Sequence, residues 1–275
     1  MDDHPDIAVV IPAYQAETFL LQTVVSVTAQ TVLPAEVIVV DDGSTDGTCA
    51  VLERFAEQQS PIPIELVRES HRGPGASRNT GIRAARAEWI AFLDADDLWH
   101  PEKLSTVSRA IRAHPDSNFF CHNELIRSLD GRERVSDYSD GFQAGLPLPA
   151  QLFRRNYFST SAVVCRRDLL LRSGGFDETL ASAQDYELWL RLSPELLPTF
   201  VPEVLGTYVM RSGNITSSQS WRRLANLLRV RHVHRGKSHR HQYVLTQCQA
   251  LFMHVLTPVA RSVRRFVTRR VREGA

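Results

Sequence analysis

The sequence predicts an α/β protein: one Rossmann-like domain with a mostly parallel central sheet flanked by helices, followed by a basic helical C-terminal extension. Three observations predict it. Four short apolar runs alternate with helix-spaced segments over the first hundred residues, the order expected of parallel strands joined by crossover helices. Two of the runs end in acidic clusters, Asp41-Asp42-Gly43-Ser44 and Asp94-Ala95-Asp96-Asp97, and open α/β sheets bind their ligands at the carboxyl ends of strands. The charge is also divided unevenly. The net charge of +1 hides 13 Lys+Arg against one acid in residues 217–275, and 19 Lys+Arg against 30 Asp+Glu in residues 1–216. With 275 residues, 43% of them hydrophobic, the chain can bury a large core.

Ile7–Ile11 is a continuous apolar run closed by Pro12, which suits a central parallel strand. Leu20, Val24 and Val27 then share one helix face. Glu36–Val40 reads as the second strand and Asp41–Gly47 as a turn, with Asp46 as N-cap of a helix carrying Val51, Leu52 and Phe55. Pro61–Val67 reads as a third strand. Gly73-Pro74-Gly75 opens an Ala-rich helix through Ala87, and Trp89–Leu93 is a fourth strand. Pro101 suits the first turn of a further helix. Beyond Ser117 the alternation weakens. Residues 130–150 read as loop, Ser159–Cys165 as a strand and Tyr186–Leu192 as a helix.

The acidic clusters carry the chemistry. Asp, Gly and Ser at 41–46 suit a turn for backbone reasons alone, but a carboxylate there can also accept the ring N–H of a nucleobase, and Tyr14 could stack on the base. Three acids in Asp94–Asp97 repel one another unless a cation is present. Their oxygens suit Mg²⁺ or Mn²⁺ shared with a diphosphate. Arg78, one turn into its helix, can reach such phosphates or simply face solvent. Asp185 is either an ordinary first-turn acid favoured by the helix dipole or a general base. His71–Asn79 contains GxG without GxGxxG, and no GxxxxGK[ST] occurs, so neither a dinucleotide fold nor a P-loop is indicated.

Six segments taken together resemble the family-2 inverting glycosyltransferases of GT-A fold: VVIPAY (9–14), VIVVDDGSTDGT (37–48), GPGASRNTGI (73–82), WIAFLDADDLW (89–99), STSAVVCRR (159–167) and GGFDETLASAQDYELWLRL (174–192). The resemblance spans about residues 7–216. It implies a GT-A domain over 1–216, with a nucleotide-sugar-binding half (1–100) and an acceptor-binding half (101–216). Within it, Pro12, Ala13 and Tyr14 would line the base, Asp42 would accept its ring N–H, and Arg78 would contact the nucleotide. Asp94-Ala95-Asp96 would form the DxD motif, with Asp96 the ligand of Mn²⁺ or Mg²⁺ and Asp94 nearer the ribose. Asp185 would be the base that deprotonates an acceptor hydroxyl. The chain departs from the family pattern at Gln184, where Glu usually precedes the base, at His71, where Asn is common, and at Arg211, which stands where a His often covers the diphosphate and would serve the same electrostatic purpose. The implied donor is a nucleotide-diphosphate sugar, most simply UDP-linked. The implied acceptor is a glycan or lipid-linked precursor of bacterial surface polysaccharide. No QxxRW motif is present, so a single addition is expected rather than processive synthesis. A nucleotidyltransferase and a non-catalytic sugar-nucleotide scaffold are the alternatives. The first lacks a basic Gly-rich loop after strand one.

In the extension, Val259, Val263, Phe266, Val267 and Val271 recur at helical spacing among five arginines. Such a basic amphipathic helix suits an anionic membrane surface, or packs on the catalytic body or on a second copy in a homo-oligomer. Nucleic acid is not expected, since no recognition motif accompanies the charge. The tail histidines fit no standard zinc spacing. The acidic N-terminus lacks a signal-peptide core, no stretch matches a membrane span, and the four cysteines form no CxxC pair. The expectation is a cytoplasmic protein with free thiols, peripheral on the inner face of the plasma membrane.

Overall fold

The computed structural model of the chain describes residues 5–211, 221–237 and 242–252. β1 (Ile7–Ala13), α1 (Leu20–Thr28), β2 (Glu36–Asp41), α2 (Thr48–Gln58), β3 (Ile64–Arg68), α3 (Pro74–Ala84) and β4 (Trp89–Phe92) alternate as the hydrophobic runs require. β1 lies between β2 and β4, and β3 flanks β2, all in parallel. β5 (Leu98–Trp99), α4 (Lys103–Ala113), β6 (Phe119–Arg127), β7 (Glu133–Ser136), α5 (Leu148–Arg154), β8 (Val163–Arg166), α6 (Arg167–Arg172), α7 (Gln184–Leu192), β9 (Pro198–Val209) and α8 (Trp221–Val233) follow. They extend the same sheet to the order β3-β2-β1-β4-β8-β6-β9-β5, with β7 on β6. This second half is mixed. β8 runs antiparallel to β4 and β6, β9 runs parallel to β6, and β5 and β7 are antiparallel edges.

Successive residues of a strand face opposite sides, so β1 divides its apolar run between two cores. Val9 and Ile11 join Leu20, Val24 and Val27 of α1, Leu52 and Phe55 of α2, and Leu104 and Val107 of α4. Val10 joins Ile82 of α3, Leu169 of α6, and Leu188 and Trp189 of α7. With both faces covered, the central strands bury almost every side chain, which is why they read as unbroken apolar runs. Trp189 is fully buried and meets Phe119 edge-on, with ring centroids 5.0 Å apart.

Four details differ from the sequence reading. α2 starts at Thr48 with Gly47 at its N-cap, so Asp46 caps from one position earlier, its carboxylate accepting the Thr48 N–H at 3.1 Å. The 130–150 loop contains β7 and the start of α5. In the 159–165 segment only Val163 onward is strand, behind a 3₁₀ turn at Thr160–Ala162. Two long strands, β6 and β9, were not indicated at all. β6 buries the polar run His122-Asn123-Glu124, and its pairing with β9 shifts register on both sides of Asn123. Neither strand therefore shows the alternation of a half-buried sheet.

The first part of the basic extension packs on the body. Val230 of α8 enters the core beside α7, His234 lies 3.2 Å from Glu187, and the Lys237 ammonium donates to the Leu190 carbonyl at 2.6 Å. Residues 242–252 are helical, and Arg231 bonds back to the Thr246 carbonyl. The amphipathic segment 259–271 lies outside the described residues. The four cysteines are free, and no helix among the described residues is long and apolar enough to cross a membrane.

α3 lies close enough to β1 that a Cβ at Gly81 would sit 2.3 Å from Val10 Cγ1. Val10 is fully buried and stiff at χ1. Gly81→Ala is therefore expected to destabilise the protein by about 1–2 kcal/mol, the overpacking cost exceeding the helix-propensity gain. Denaturant unfolding measures the difference, and an unchanged midpoint would refute the close-packing argument.

Candidate active site

The carboxyl ends of β1 and β2 form one wall of the crevice. The Asp42 amide donates to the Ala13 carbonyl at 2.8 Å, joining the two strand ends. Pro12 and Ala13 are the last residues of β1, and Tyr14 follows them, 46% exposed. Asp42 is almost fully buried, and its carboxylate organises the loop before α3. Oδ1 accepts the Arg72 N–H at 2.7 Å, and Oδ2 accepts the Gly73 N–H at 2.9 Å. His71 Nδ1 also lies 2.9 Å from Oδ2. A carboxylate accepts about four hydrogen bonds, and these three come from the protein itself. Gly43 has φ +75°, and a Cβ there would come within 2.9 Å of the His71 nitrogen. Only glycine lets the two loops approach so closely.

The turn after β4 forms the floor. The Thr23 hydroxyl on α1 donates to the carbonyls of Ala95 (2.6 Å) and Asp97 (2.9 Å), and the Asp94 amide donates to Ser161 Oγ at 3.1 Å. The three acids of this turn then part company. Asp94 faces the crevice and receives the guanidinium of Arg78, itself only 6% exposed. Asp96 is half-buried. Asp97 points inward, where its Oδ2 accepts the Ser161 hydroxyl at 2.6 Å and its Oδ1 accepts the Val209 amide at 3.1 Å. Burial, followed by the charges of Glu124, Asp94 and Asp96, holds the Asp97 carboxyl well above the usual carboxylate range. Asp97 is thus a structural member of the cluster, and burial of its carboxyl relieves part of the repulsion that the sequence places there. Below it, Lys103 is also buried, donating to the Ser161 carbonyl at 3.2 Å over the ring of Trp99. Burial lowers its ammonium well below the ordinary lysine range.

The third station comes from α7. Asp185 is half-buried in the first turn of the helix, and its Oδ2 accepts the Asn156 side-chain amide at 3.0 Å. Desolvation raises its carboxyl above the ordinary value. The Tyr186 backbone N–H, Arg78 and Asn156 pull the other way, while Asp94 adds to the rise. Arg78 therefore acts on both Asp94 and Asp185, and the acidic stations at 94 and 185 share one cation. The loop before α7 is tied to α3. Asn79 accepts the Phe176 amide at 2.7 Å and donates to the Phe176 carbonyl at 2.9 Å.

Among the residues expected from sequence, Pro12, Ala13, Tyr14 and Asp42 gather at the ends of β1 and β2, while Arg78 bonds to Asp94, Asp96 stands in the same turn, and Asp185 lies near enough to feel the charges of Arg78 and Asp94. Ala95 contributes its carbonyl to the turn. Arg211 lies beside the Phe19 ring, 4.8 Å from its centroid, at the start of α1, and no described contact ties it to Asp94 or Asp185. Sequence reasoning missed Asn156, Ser161 and Lys103. Asn156 stands 29 residues before its partner Asp185 in a segment with no period, and Lys103 reads as an ordinary helix lysine. No local signal marks either.

Residues 8–169 match the family description Glycosyl transferase family 2. The succinoglycan biosynthesis protein ExoO of Rhizobium meliloti is 35% identical over 199 residues, covering 68% of this chain and 56% of that protein. Chondroitin synthase of Escherichia coli is 28% identical over 196 residues, covering 69% of this chain but 26% of that protein. The chain thus spans only part of these curated relatives. Among solved structures, S. aureus TarS 1–349 in complex with UDP-GlcNAc superposes with a TM-score of 0.71 at 21% identity, covering 90% of this chain and 72% of that one. The mannosyltransferase PcManGT of Pyrobaculum calidifontis, in complex with GDP-Man and Mn²⁺, gives 0.65 at 22%, covering 94% and 72%. At such identities these likenesses establish the fold. Since the family match takes in more than half of the residues, and includes both strand-end clusters that build the crevice, the chain belongs to glycosyl transferase family 2 and has the GT-A fold.

Proposed function

We propose that the chain transfers a sugar from a nucleotide-diphosphate donor, with uridine as the base, to an acceptor hydroxyl, with inversion at the anomeric carbon. The observation that carries this reading is the convergence of a desolvated carboxylate, Asp185, with Arg78 and Asp94 at the strand-end edge. Unlike Asp97, whose raised carboxyl is fully buried, Asp185 is only half-buried, as a base that meets an acceptor hydroxyl must be. The names of ExoO and chondroitin synthase support a glycan acceptor in bacterial polysaccharide synthesis. The absence of QxxRW from this sequence supports one addition per encounter. Residues 1–100 would hold the donor and 101–216 the acceptor.

The residues fit a divalent ion shared with substrate. Among the described residues, no three His, Cys, Asp or Glu gather into a cage. Mg²⁺ and Mn²⁺ are commonly held by one or two carboxylates and take the rest of their shell from phosphate oxygens and water. Asp96 would hold the ion, and Asp94, fixed by Arg78, would stand nearer the ribose. The neighbour PcManGT, in complex with Mn²⁺, supports the assignment. When bound, the ion supplies positive charge against the developing diphosphate.

The chain's own groups do the rest. Tyr14 stacks on the base and Asp42 accepts its ring N–H. Arg78 neutralises phosphate charge, and Arg211 adds a second cation from the segment after β9. Asn156 orients Asp185, which takes the proton of the acceptor hydroxyl as that oxygen bonds to the anomeric carbon. The bond from that carbon to the diphosphate oxygen breaks on the opposite face. The basic segment 259–271 would meet anionic lipid at the inner face of the plasma membrane, where lipid-linked acceptors reside.

Calorimetric titration with UDP, GDP, dTDP and CDP, with and without Mn²⁺, tests the donor and the ion together. UDP should bind only with metal, and Asp96→Asn should abolish that binding. Metal-independent binding of equal strength in both proteins would refute the metal assignment. Asp185→Asn should reduce turnover by about 10³-fold or more while sparing UDP affinity, the scale for loss of a general base. The raised carboxyl of Asp185 predicts that kcat/KM falls with decreasing pH from above the ordinary carboxylate range. Asn156→Ala removes a donor that stabilises the ionised form, so its acidic limb should move to higher pH. A limb that stays put, or moves down, would remove Asn156 from the site. The full chain should sediment with phosphatidylserine vesicles, and replacing the arginines of 259–271 by glutamine should abolish this. Undiminished sedimentation would count against the membrane reading.

A further inference from the structure

The base end of the crevice holds a ring of the protein's own. The His71 imidazole stacks on Tyr14, with centroids 4.2 Å apart and planes 27° from parallel. Its Nδ1 lies 2.9 Å from Asp42 Oδ2 and 3.2 Å from the Asp42 carbonyl. Both neighbours are acceptors, so Nδ1 carries the hydrogen and donates. A planar ring lying on Tyr14 and donating a ring N–H to Asp42 makes the two contacts assigned above to uracil. The imidazole sits where it does because the Gly43 turn allows the His71 backbone to approach, while the Arg72 and Gly73 amides bind the same carboxylate. The ring lies at the surface: the His71 side chain is 56% exposed, against 3% for that of Asp42.

We propose that His71 is a specificity-determining plug of the base site, an internal stand-in for the nucleobase that a donor must displace to reach Tyr14 and Asp42. The proposal rests on the nucleotide-sugar reading above. Displacement exchanges one stack and one N–H donor for another, so it favours bases that replace both. Uracil, thymine and guanine carry a ring N–H beside a carbonyl. Cytosine presents an acceptor at the corresponding nitrogen and would leave Asp42 without its ring donor, a loss that a buried carboxylate makes costly. The plug thus sharpens discrimination by setting a threshold that each base must exceed. It also gives the buried Asp42 carboxylate a third partner, beside the Arg72 and Gly73 amides, in the absence of donor.

Calorimetry with UDP and Mn²⁺ on the full chain decides the matter, supported by NMR of the histidine ring protons. Removing the competitor by His71→Ala should tighten UDP binding about three- to tenfold, the scale of one net hydrogen bond made by an exposed ring. It should also narrow the margin between UDP and CDP. In the wild type, the His71 ring resonance, identified by its loss in His71→Ala, should move away from its Tyr14-shielded position as UDP saturates. His71→Asn, which keeps a donor but no ring, reports on the stack separately and should also bind UDP more tightly than wild type. Equal or weaker UDP binding by both variants, or a His71 resonance that does not move, would overturn the plug and make His71 a fixed wall of the base site. If neither wild type nor variant binds any of the four nucleotides, the donor reading itself falls. If the wild type binds and the variants gain nothing, only this proposal falls.

Discussion

The crevice depends on how one acid is removed from it. Asp97 turns its carboxyl into the body, where Ser161 and the Val209 amide hold it. Those bonds tie three parts of the chain at one point: the turn after β4, the 3₁₀ turn before β8 and the end of β9. Without such a tie, three carboxylates in four residues would push the turn open. With it, Asp94 and Asp96 alone remain at the edge, and Thr23 fixes the turn from the other side. Burial pushes the Asp97 carboxyl well above the usual carboxylate range, since a charge there would be costly. The same burial, applied by degrees, gives Asp185 its raised proton affinity. Desolvation thus raises the carboxyl both of Asp97, held inside the body, and of Asp185, at the start of α7.

Arg78 is the counterweight. It is almost fully buried, it bonds to Asp94, and its charge is felt at Asp185. A buried guanidinium is stable only where carboxylates surround it, and here the carboxylates come from different elements. Asn79, its neighbour on α3, clamps the loop at Phe176 that leads towards α7. Two consecutive residues of one helix thus set both the charge and the spacing of the site, while Gly81 on the same helix sets how near that helix lies to β1. The base end is organised by the same means: buried Asp42 gathers the backbone of residues 72–73 and the ring of His71 around itself.

Much of this was legible before the structure. Ile7–Ile11, Glu36–Val40 and Trp89–Leu93 are buried on both faces, so their apolar runs were unbroken and located β1, β2 and β4. The acids at 42, 94 and 96 stood at strand ends for the same reason. β6 and β9 were not legible, because β6 buries His122, Asn123 and Glu124 and breaks register opposite β9. Burial of polar groups erases the hydrophobic period by which a strand is read. Asp97 was counted with its neighbours because a sequence lists acids without saying which way each one points.

By itself, then, the sequence determined the α/β alternation, the positions of the strand-end carboxylates and the family to which their order belongs. These follow from local chemistry: apolar period, turn residues and the spacing of acids within one segment. Only the tertiary structure decided which acid is buried, which cation serves two carboxylates, that Asn156 orients Asp185, and that His71 lies on Tyr14. Each of those depends on contacts between residues distant in the chain, such as the 29 residues from Asn156 to Asp185 and the 64 from Asp97 to Ser161. Proton affinity and hydrogen-bond pairing are set by what surrounds a group in space, and a linear order of residues does not contain that distance.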